Sequence, residues 1–118
     1  MDERRGGHRE LKVKRGDLVT IAAPGDYGKP RPALIVQADA FDVHPSVTVL
    51  PLTSEIHDVP LFRITVFPGK DTGLQKMSQI MVDKAITVSR AKIGPRMGRV
   101  HPATMQAVNH ALRGFLGL

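Results

Sequence analysis

Arg31 is the side chain whose type and setting best fit chemistry on a phosphate group, because Pro30 and Pro32 flank it. Each proline fixes its own φ, so the backbone that carries the guanidinium is held where a strand begins. A guanidinium presents a rigid fork of N–H donors that matches two phosphate oxygens. Since a guanidinium stays protonated in proteins, we expect Arg31 to stabilise negative charge and not to transfer protons.

Other chemistries have little support in the sequence. The chain has no cysteine, which excludes thiolate chemistry and a disulfide framework. Its histidines follow no metal-binding spacing, and no nucleophile elbow, phosphate-binding loop or dinucleotide fingerprint is present. The sequence therefore predicts neither a metal site nor a cofactor. The five histidines are His8, His44, His57, His101 and His110.

The charge of the chain is unevenly distributed. Lys and Arg number 17 against 11 Asp and Glu, a net charge of +6 over 118 residues. Residues 1–15 carry six basic and three acidic side chains, residues 16–83 five and eight, and residues 84–118 six and none. Cationic regions favour polyanions because contacts to phosphates release counterions. Nucleic acid is therefore the first expected partner, with an acidic protein as the alternative.

Short β-branched and alternating runs predict strands along most of the chain. The run at 33–37 is almost wholly apolar, which indicates burial on both faces. The segment 23–32 contains three prolines and two glycines and must be a loop. The last two predicted strands are close enough to form one strand with a bend or bulge. The predicted strands are 18–22, 33–37, 46–53, 62–66, 79–82 and 85–88.

The C-terminal segment changes to a helical period. Met105, Val108, Leu112 and Phe115 form one apolar stripe, with Pro102 suited to the first turn and Gly117 to the end. No helix separates one strand from the next, so the sequence predicts a mainly β fold, an antiparallel sheet closed into a small barrel with one helix against it. We expect a flexible tail at residues 1–10 and a single domain at 11–118. Without a secretory signal or an apolar membrane span, a cytoplasmic location is the expectation.

Several of these segments together resemble the MazF/PemK family of toxins from bacterial toxin–antitoxin pairs. The resemblance covers residues 14–118, nearly the whole chain. It implies an SH3-like barrel that forms a homodimer and cuts single-stranded RNA at short sequences without a metal. It also implies an antitoxin whose disordered tail covers the RNA groove. The segments that carry it are Arg15-Gly16-Asp17-Leu18-Val19, the stretch from Gly28 to Gln37, Leu52-Thr53-Ser54 and Lys92-Ile93-Gly94.

The resemblance assigns roles to individual residues. Arg31 matches the catalytic arginine of the family, and Thr53 matches its active-site threonine. Asp83 lies where the family often has a carboxylate, which would act as a general base or orient Arg31. Ser54 could share the work of Thr53, although neighbouring strand residues point to opposite faces, so we expect only one of them to face the site.

The remaining predicted contacts would bind RNA. Tyr27 and Lys29 lie in or beside the loop that would cover the groove, where they could stack on a base and contact a phosphate. Lys84 is a further cation that would contact RNA. The chain departs from the family pattern at Ile86, where an arginine is common, which puts RNA contacts from that strand in doubt. Two alternatives stay open: a CcdB-like gyrase inhibitor, and a catalytically silent binder of nucleic acid or antitoxin.

Overall fold

The computed structural model describes residues 12–22 and 29–118. Over these residues the chain forms a seven-stranded antiparallel sheet and one α-helix. The predicted N-terminal tail and the contact from Tyr27 lie outside the described residues. Over the part described, no helix is both long and apolar enough to cross a membrane. The elements are β1 Asp17–Ile21, β2 Arg31–Ile35, β3 Ser46–Thr53, β4 Arg63–Val66, β5 Ser78–Met81, β6 Ile86–Ser89, β7 Ile93–Arg99 and α1 Pro102–Leu116.

The strands follow the order β4-β5-β3-β2-β1-β7, and β6 pairs with β3 beside β5. Residues 52–53 of β3 pair with β5, and residues 46–49 pair with β6. The 3₁₀ turn Val82–Lys84 separates β5 from β6 along this one edge of β3. The two strands predicted here are confirmed as separate strands, joined by this turn and not by a bend or bulge within one strand. The predicted fold class, mainly antiparallel β with a C-terminal helix, is confirmed.

Both faces of the central strands are buried. Alternate residues of β1, β2 and β3 point to two separate cores, because successive side chains in a strand face opposite sides. Leu34 belongs to the core under α1, while Ala33 and Ile35 belong to the core on the other face. The three residues are at most 2% exposed, which confirms the burial on both faces predicted for this run.

Helix α1 packs on the first of these cores through the predicted stripe. Val108 is fully buried, and Met105 and Leu112 pack against the same core. His101 caps the helix, since its Nδ1 accepts a hydrogen bond from the Ala103 N–H at 3.0 Å. At the other end Gly117 has φ 74°, the left-handed conformation of a helix C-cap, as its position in the sequence predicted.

Strand β7 was missed by the sequence prediction. Its sequence, IGPRMGR, has no hydrophobic alternation and contains two glycines and a proline. It pairs with β1 at the end of the strand order, and the register shifts twice along the pair. The prediction of a closed barrel is wrong, because among the described residues no pairing joins β7 at one end of the order to β4 at the other.

Candidate active site

A cavity of about 340 Å³ opens where β2 begins and β3 ends. Three of the predicted site residues, Arg31, Thr53 and Ser54, line it together. We call it the Arg31 cavity. Its other lining residues come from β2, β3, β5, β7 and the connection between β4 and β5, and they are Pro32, Leu52, Gly73, Leu74, Gln75, Lys76, Ser78 and Met97.

The register of the sheet brings Arg31 and Thr53 together. Ala33 of β2 pairs with Pro51 of β3, and Ile35 pairs with Val49. Continuing this register by two residues places Arg31 opposite Thr53, and directly opposed residues in an antiparallel pair project from the same face. Residues 22 positions apart in the sequence thus become neighbours across two strands.

The segment after Thr53 is fixed by two polar side chains. Thr53 Oγ1 accepts a hydrogen bond from the Glu55 N–H at 3.1 Å. Gln79, buried and paired with Thr53 across β3 and β5, accepts from the His57 N–H at 3.0 Å and donates to the His57 carbonyl at 2.8 Å. Both Thr53 and Ser54 line the cavity, so the expectation that only one would face it is wrong. Strand β3 ends at Thr53, and the strict alternation of side chains ends with it.

The described lining of the Arg31 cavity carries two cations, Arg31 and Lys76, and no carboxylate. Hydroxyl and amide groups complete its polar surface. Sequence reasoning missed Lys76, which lies in a loop with no motif around it. The nearby Ser78 hydroxyl donates to the Lys76 carbonyl at 3.0 Å and so fixes the backbone that carries this lysine. A polar lining with net positive charge fits an anionic ligand.

Gly73 allows the loop that carries Lys76 to run against β7. Its φ is +72°, a conformation that residues with a Cβ rarely adopt. A Cβ at this position would also strike the backbone of Met97. Gly73 and Met97 both line the Arg31 cavity, so this close contact forms part of its wall.

Asp83 lies apart from the cavity lining, in the 3₁₀ turn after β5. Its two carboxylate oxygens accept hydrogen bonds from Nε and Nη2 of Arg63, at 2.9 and 3.3 Å. This hydrogen-bonded ion pair lowers the pKa of the Asp83 carboxyl from its ordinary value. The geometry thus joins Asp83 to Arg63, not to Arg31, and does not support the predicted role in orienting Arg31.

The other predicted contacts are spread over the surface. Lys29 is exposed two residues before Arg31, and Lys84 is exposed at the end of the turn that holds Asp83. Neither belongs to the lining of the Arg31 cavity. Ile86, where the family often has arginine, packs half-buried against the core on the face away from α1. In the described ranges no group of three or more His, Cys, Asp or Glu side chains could share a metal ion.

Residues 14–116 match the family model described as PemK-like, MazF-like toxin of type II toxin-antitoxin system. The chain therefore belongs to the MazF/PemK toxin family, as its sequence predicted. A curated protein of Mycolicibacterium smegmatis, named probable endoribonuclease MazF, is 47% identical over 107 residues, which cover 90% of this chain and 98% of the relative.

Solved structures agree with the family match. An endoribonuclease from a mycobacterial species, in complex with its cognate antitoxin, is 27% identical with a TM-score of 0.75, covering 90% of this chain and 96% of that chain. MazF from Deinococcus radiodurans, 22% identical, shares the fold with a TM-score of 0.72, covering 90% of this chain and 97% of that one. The class predicted from the sequence, a MazF/PemK toxin that acts as an endoribonuclease, agrees with these matches.

Proposed function

We propose that this toxin cleaves single-stranded RNA in the Arg31 cavity, without a metal ion, to give 2′,3′-cyclic phosphate and 5′-hydroxyl ends. The observation that carries the proposal is the meeting of Arg31 and Thr53 in one cavity whose described lining contains no carboxylate. Family membership and the 47% identical relative, named as a probable endoribonuclease, support RNA as the substrate that is cleaved.

The chemistry follows from the substrate's own nucleophile. The 2′-oxygen attacks the adjacent phosphorus, the new O2′–P bond forms, and the P–O5′ bond breaks. One proton leaves the 2′-hydroxyl and one arrives on the 5′-oxygen. Between these events the phosphorus carries five oxygens and additional negative charge, which positioned donors stabilise more strongly than the ground state.

Each residue of the cavity then has a defined task. The Arg31 guanidinium binds two non-bridging phosphate oxygens through its N–H fork, and Lys76 adds a second positive charge. The Thr53 hydroxyl oxygen accepts a hydrogen bond from the Glu55 N–H. The hydroxyl hydrogen is therefore available to donate to the phosphate or to the 2′-oxygen. Ser54 and Lys29 would contact the neighbouring nucleotides. Asp83 has a structural task in this scheme.

The proposed homodimer has a suitable surface at the end of α1. An apolar hollow of about 370 Å³ lies between α1 and the segment before β4, with Phe62 and Phe115 in contact at a ring-centroid distance of 6.0 Å. Two of the large apolar side chains that line this hollow are exposed, Leu61 by 82% and Phe115 by 52%. Burying such a patch against a second copy would remove it from water. Leu61→Glu should then convert the dimer to a monomer in sedimentation experiments.

The cognate antitoxin is the proposed protein partner, and the cytoplasm, where messenger RNA is translated, is the proposed location. An acidic antitoxin segment would occupy the Arg31 cavity through the same two cations that bind phosphate. Competition between RNA and antitoxin for this one site accounts for inhibition of the toxin. An excess of purified antitoxin should therefore abolish both RNA binding and cleavage.

The test is incubation of the purified protein with mixed-sequence single-stranded RNA in EDTA. Arg31→Ala should reduce cleavage by about 10²- to 10³-fold, the usual effect of removing one group that stabilises transition-state charge. Lys92→Ala is the matched control, because Lys92 is exposed and outside the lining of the Arg31 cavity. Equal cleavage by the Arg31 variant would contradict the assigned role. Intact RNA in every reaction would contradict the proposed function, and gyrase supercoiling would then be assayed.

A further inference from the structure

A second cavity, of about 630 Å³, lies on the other side of the wall formed by Gly73 and β7. Its lining comes from the end of β4, the loop that follows, the end of β7 and the first turn of α1. We call it the Phe67 cavity. Its lining residues are Thr65, Val66, Phe67, Asp71, Thr72, Arg96, Arg99, Val100, His101 and Thr104.

We propose that the Phe67 cavity binds a nucleotide of the single-stranded RNA that flanks the scissile phosphate, with its base on the Phe67 ring and its phosphate on Arg96. The proposal rests on the proposed function. It extends the substrate contact beyond the Arg31 cavity and adds residues that determine affinity for longer RNA.

Phe67 provides a stacking surface that is already in place. The side chain is 65% exposed, although aromatic rings usually lie in cores or interfaces. Its backbone is fixed, because the Thr72 hydroxyl donates to the Phe67 carbonyl at 3.1 Å and accepts from the Leu74 N–H at 3.2 Å. Every base has a π face, so an exposed and positioned ring binds single strands with little dependence on sequence.

Arg96 provides the phosphate contact. Its Nε donates to Asp17 at 3.2 Å, while 55% of the side chain is exposed. In the part of the chain described, this is the one hydrogen bond of the Arg96 side chain, which leaves its two terminal NH₂ groups available to an anion. Arg99 shares the same carboxylate at 2.5 Å and also donates to the Arg15 carbonyl at 3.0 Å. The buried Asp17 thus aligns two guanidiniums at the edge of the cavity.

The local charge favours an anion in spite of the carboxylates nearby. Lys12 and Lys14 line a neighbouring hollow together with Asp17 and the same two arginines. The cavity and this hollow together contain four cations, the two lysines and the two arginines, and two carboxylates, Asp17 and Asp71. The net charge of the two linings is therefore +2. The hydroxyls of Thr65 and Thr104 add groups that can bind the ribose or a base edge.

The two cavities are close enough for one strand of RNA to occupy both. In the loop, Thr72 lines the Phe67 cavity and the next residue, Gly73, lines the Arg31 cavity. On β7, Arg96 lines the Phe67 cavity and the next residue, Met97, lines the Arg31 cavity. The Arg99 N–H donates to the Asp71 carbonyl at 2.7 Å, which holds the loop against β7. Adjacent residues on both elements therefore face the two cavities in turn.

RNA is favoured over an acidic protein segment because of the exposed ring. A peptide carboxylate would use Arg96 but would gain little from Phe67, whereas a nucleotide uses both. The two ligands therefore predict different effects for the two substitutions, which the experiment separates.

The experiment measures binding of labelled mixed-sequence RNA to the full chain carrying Arg31→Ala, by fluorescence anisotropy. One RNA has about 5 nucleotides and the other about 15, since a short strand fills one cavity and a longer one spans both. Phe67→Ala should lower the affinity for the longer RNA by about tenfold, within the usual effect of one stacked base, and leave the affinity for the shorter RNA unchanged. Arg96→Ala should also weaken binding of the longer RNA. The slope of log affinity against log salt concentration should become about 0.7 less steep, the value for the loss of one phosphate contact.

The control variants are Phe41→Ala, which removes another exposed aromatic ring, and Lys92→Ala, which removes another exposed cation. Both residues lie outside the linings of the two cavities. Both should bind RNA as the parent does, and thermal melting checks that every variant is folded. Unchanged affinity of the Phe67 and Arg96 variants for the longer RNA would overturn the proposal. Loss of binding to polyglutamate with unchanged RNA binding would assign the cavity to an acidic protein segment. Failure of the proposed function is distinguishable, because the wild-type chain would then leave all RNA intact.

Discussion

Replacing Asp83 with Asn should destabilise the fold and leave RNA cleavage by the folded protein unchanged. The Arg63 and Asp83 side chains are only 13% and 14% exposed, so the substitution leaves the positive charge of a guanidinium without a counter-charge in a poorly hydrated place. The pair joins the first residue of β4 to the turn after β5, which packs against α1. Loss of the ion pair therefore also weakens the contact between the helix and the sheet.

The expected destabilisation is about 2 kcal/mol at neutral pH, since hydrogen bonds to charged groups contribute roughly 1.5–3 kcal/mol and two of them share this pair. For a chain of this length that corresponds to a fall in Tm of about 8 °C. Urea unfolding at a fixed protein concentration measures the difference, since dimerisation makes stability depend on concentration. Asp58→Asn removes an exposed carboxylate and should change stability by less than about 0.5 kcal/mol.

The difference between wild type and Asp83→Asn should depend on pH in a defined direction. Arg63 lowers the pKa of Asp83 in the folded state, so the unfolded state binds the proton more readily. The stabilisation is fully present above the unfolded pKa of about 3.9 and is lost as the pH falls through the lower folded value. The difference should be constant from pH 8 to about pH 5 and shrink below pH 4. A variant that keeps its stability and loses cleavage by more than tenfold would refute this reasoning and make Asp83 catalytic.

Three further predictions concern the Arg31 cavity. Gly73→Ala should lower the free energy of unfolding by more than about 2 kcal/mol and abolish cleavage, because it combines a strained φ with a clash against Met97. Gly69→Ala is the control, since its Cβ would meet open space, and it should change neither stability nor cleavage. Thr53→Val should lower the cleavage rate at least tenfold and Thr53→Ser should retain most of it; equal rates would remove the hydroxyl from the mechanism. RNA affinity should fall as salt concentration rises, and a plot of log affinity against log salt should have a slope of about −1.4 or steeper, for phosphate contacts from Arg31 and Lys76. An affinity that does not change with salt would contradict this electrostatic interpretation.

The parts of the fold that follow from periodicity could be predicted from the sequence. Apolar, β-branched and alternating runs predict the central strands, and the stripe from Met105 to Phe115 predicts the helix with its cap at Gly117. Strand β7 could not be found in this way, because it lies at the end of the strand order and contacts β1 and a loop through backbone and glycines instead of an apolar stripe. Gly94 and Gly98 would each place a Cβ against another segment, which is visible only in three dimensions.

The candidate site divides along the same line. Arg31 and Thr53 were predicted because proline-flanked arginine and a strand end are local features that match the family. Lys76 was missed because its position depends on the fold of the 67–78 connection. The partner of Asp83 could not be predicted either, since Arg63 is 20 residues away and reaches it only after β4 and β5 pair. Long-range pairing of charges therefore lies beyond what spacing in the sequence shows.

The most direct test of the central claim uses an RNA with one altered nucleotide. Once a cleavage site has been mapped, the same oligonucleotide is made with a 2′-deoxy sugar on the 5′ side of the scissile phosphate. The account predicts that wild-type protein in EDTA binds this RNA but leaves that phosphate intact, while the all-ribose control gives a 2′,3′-cyclic phosphate. Cleavage of the deoxy substrate at the same phosphate and rate would show that another nucleophile attacks, and would contradict the mechanism proposed for the Arg31 cavity.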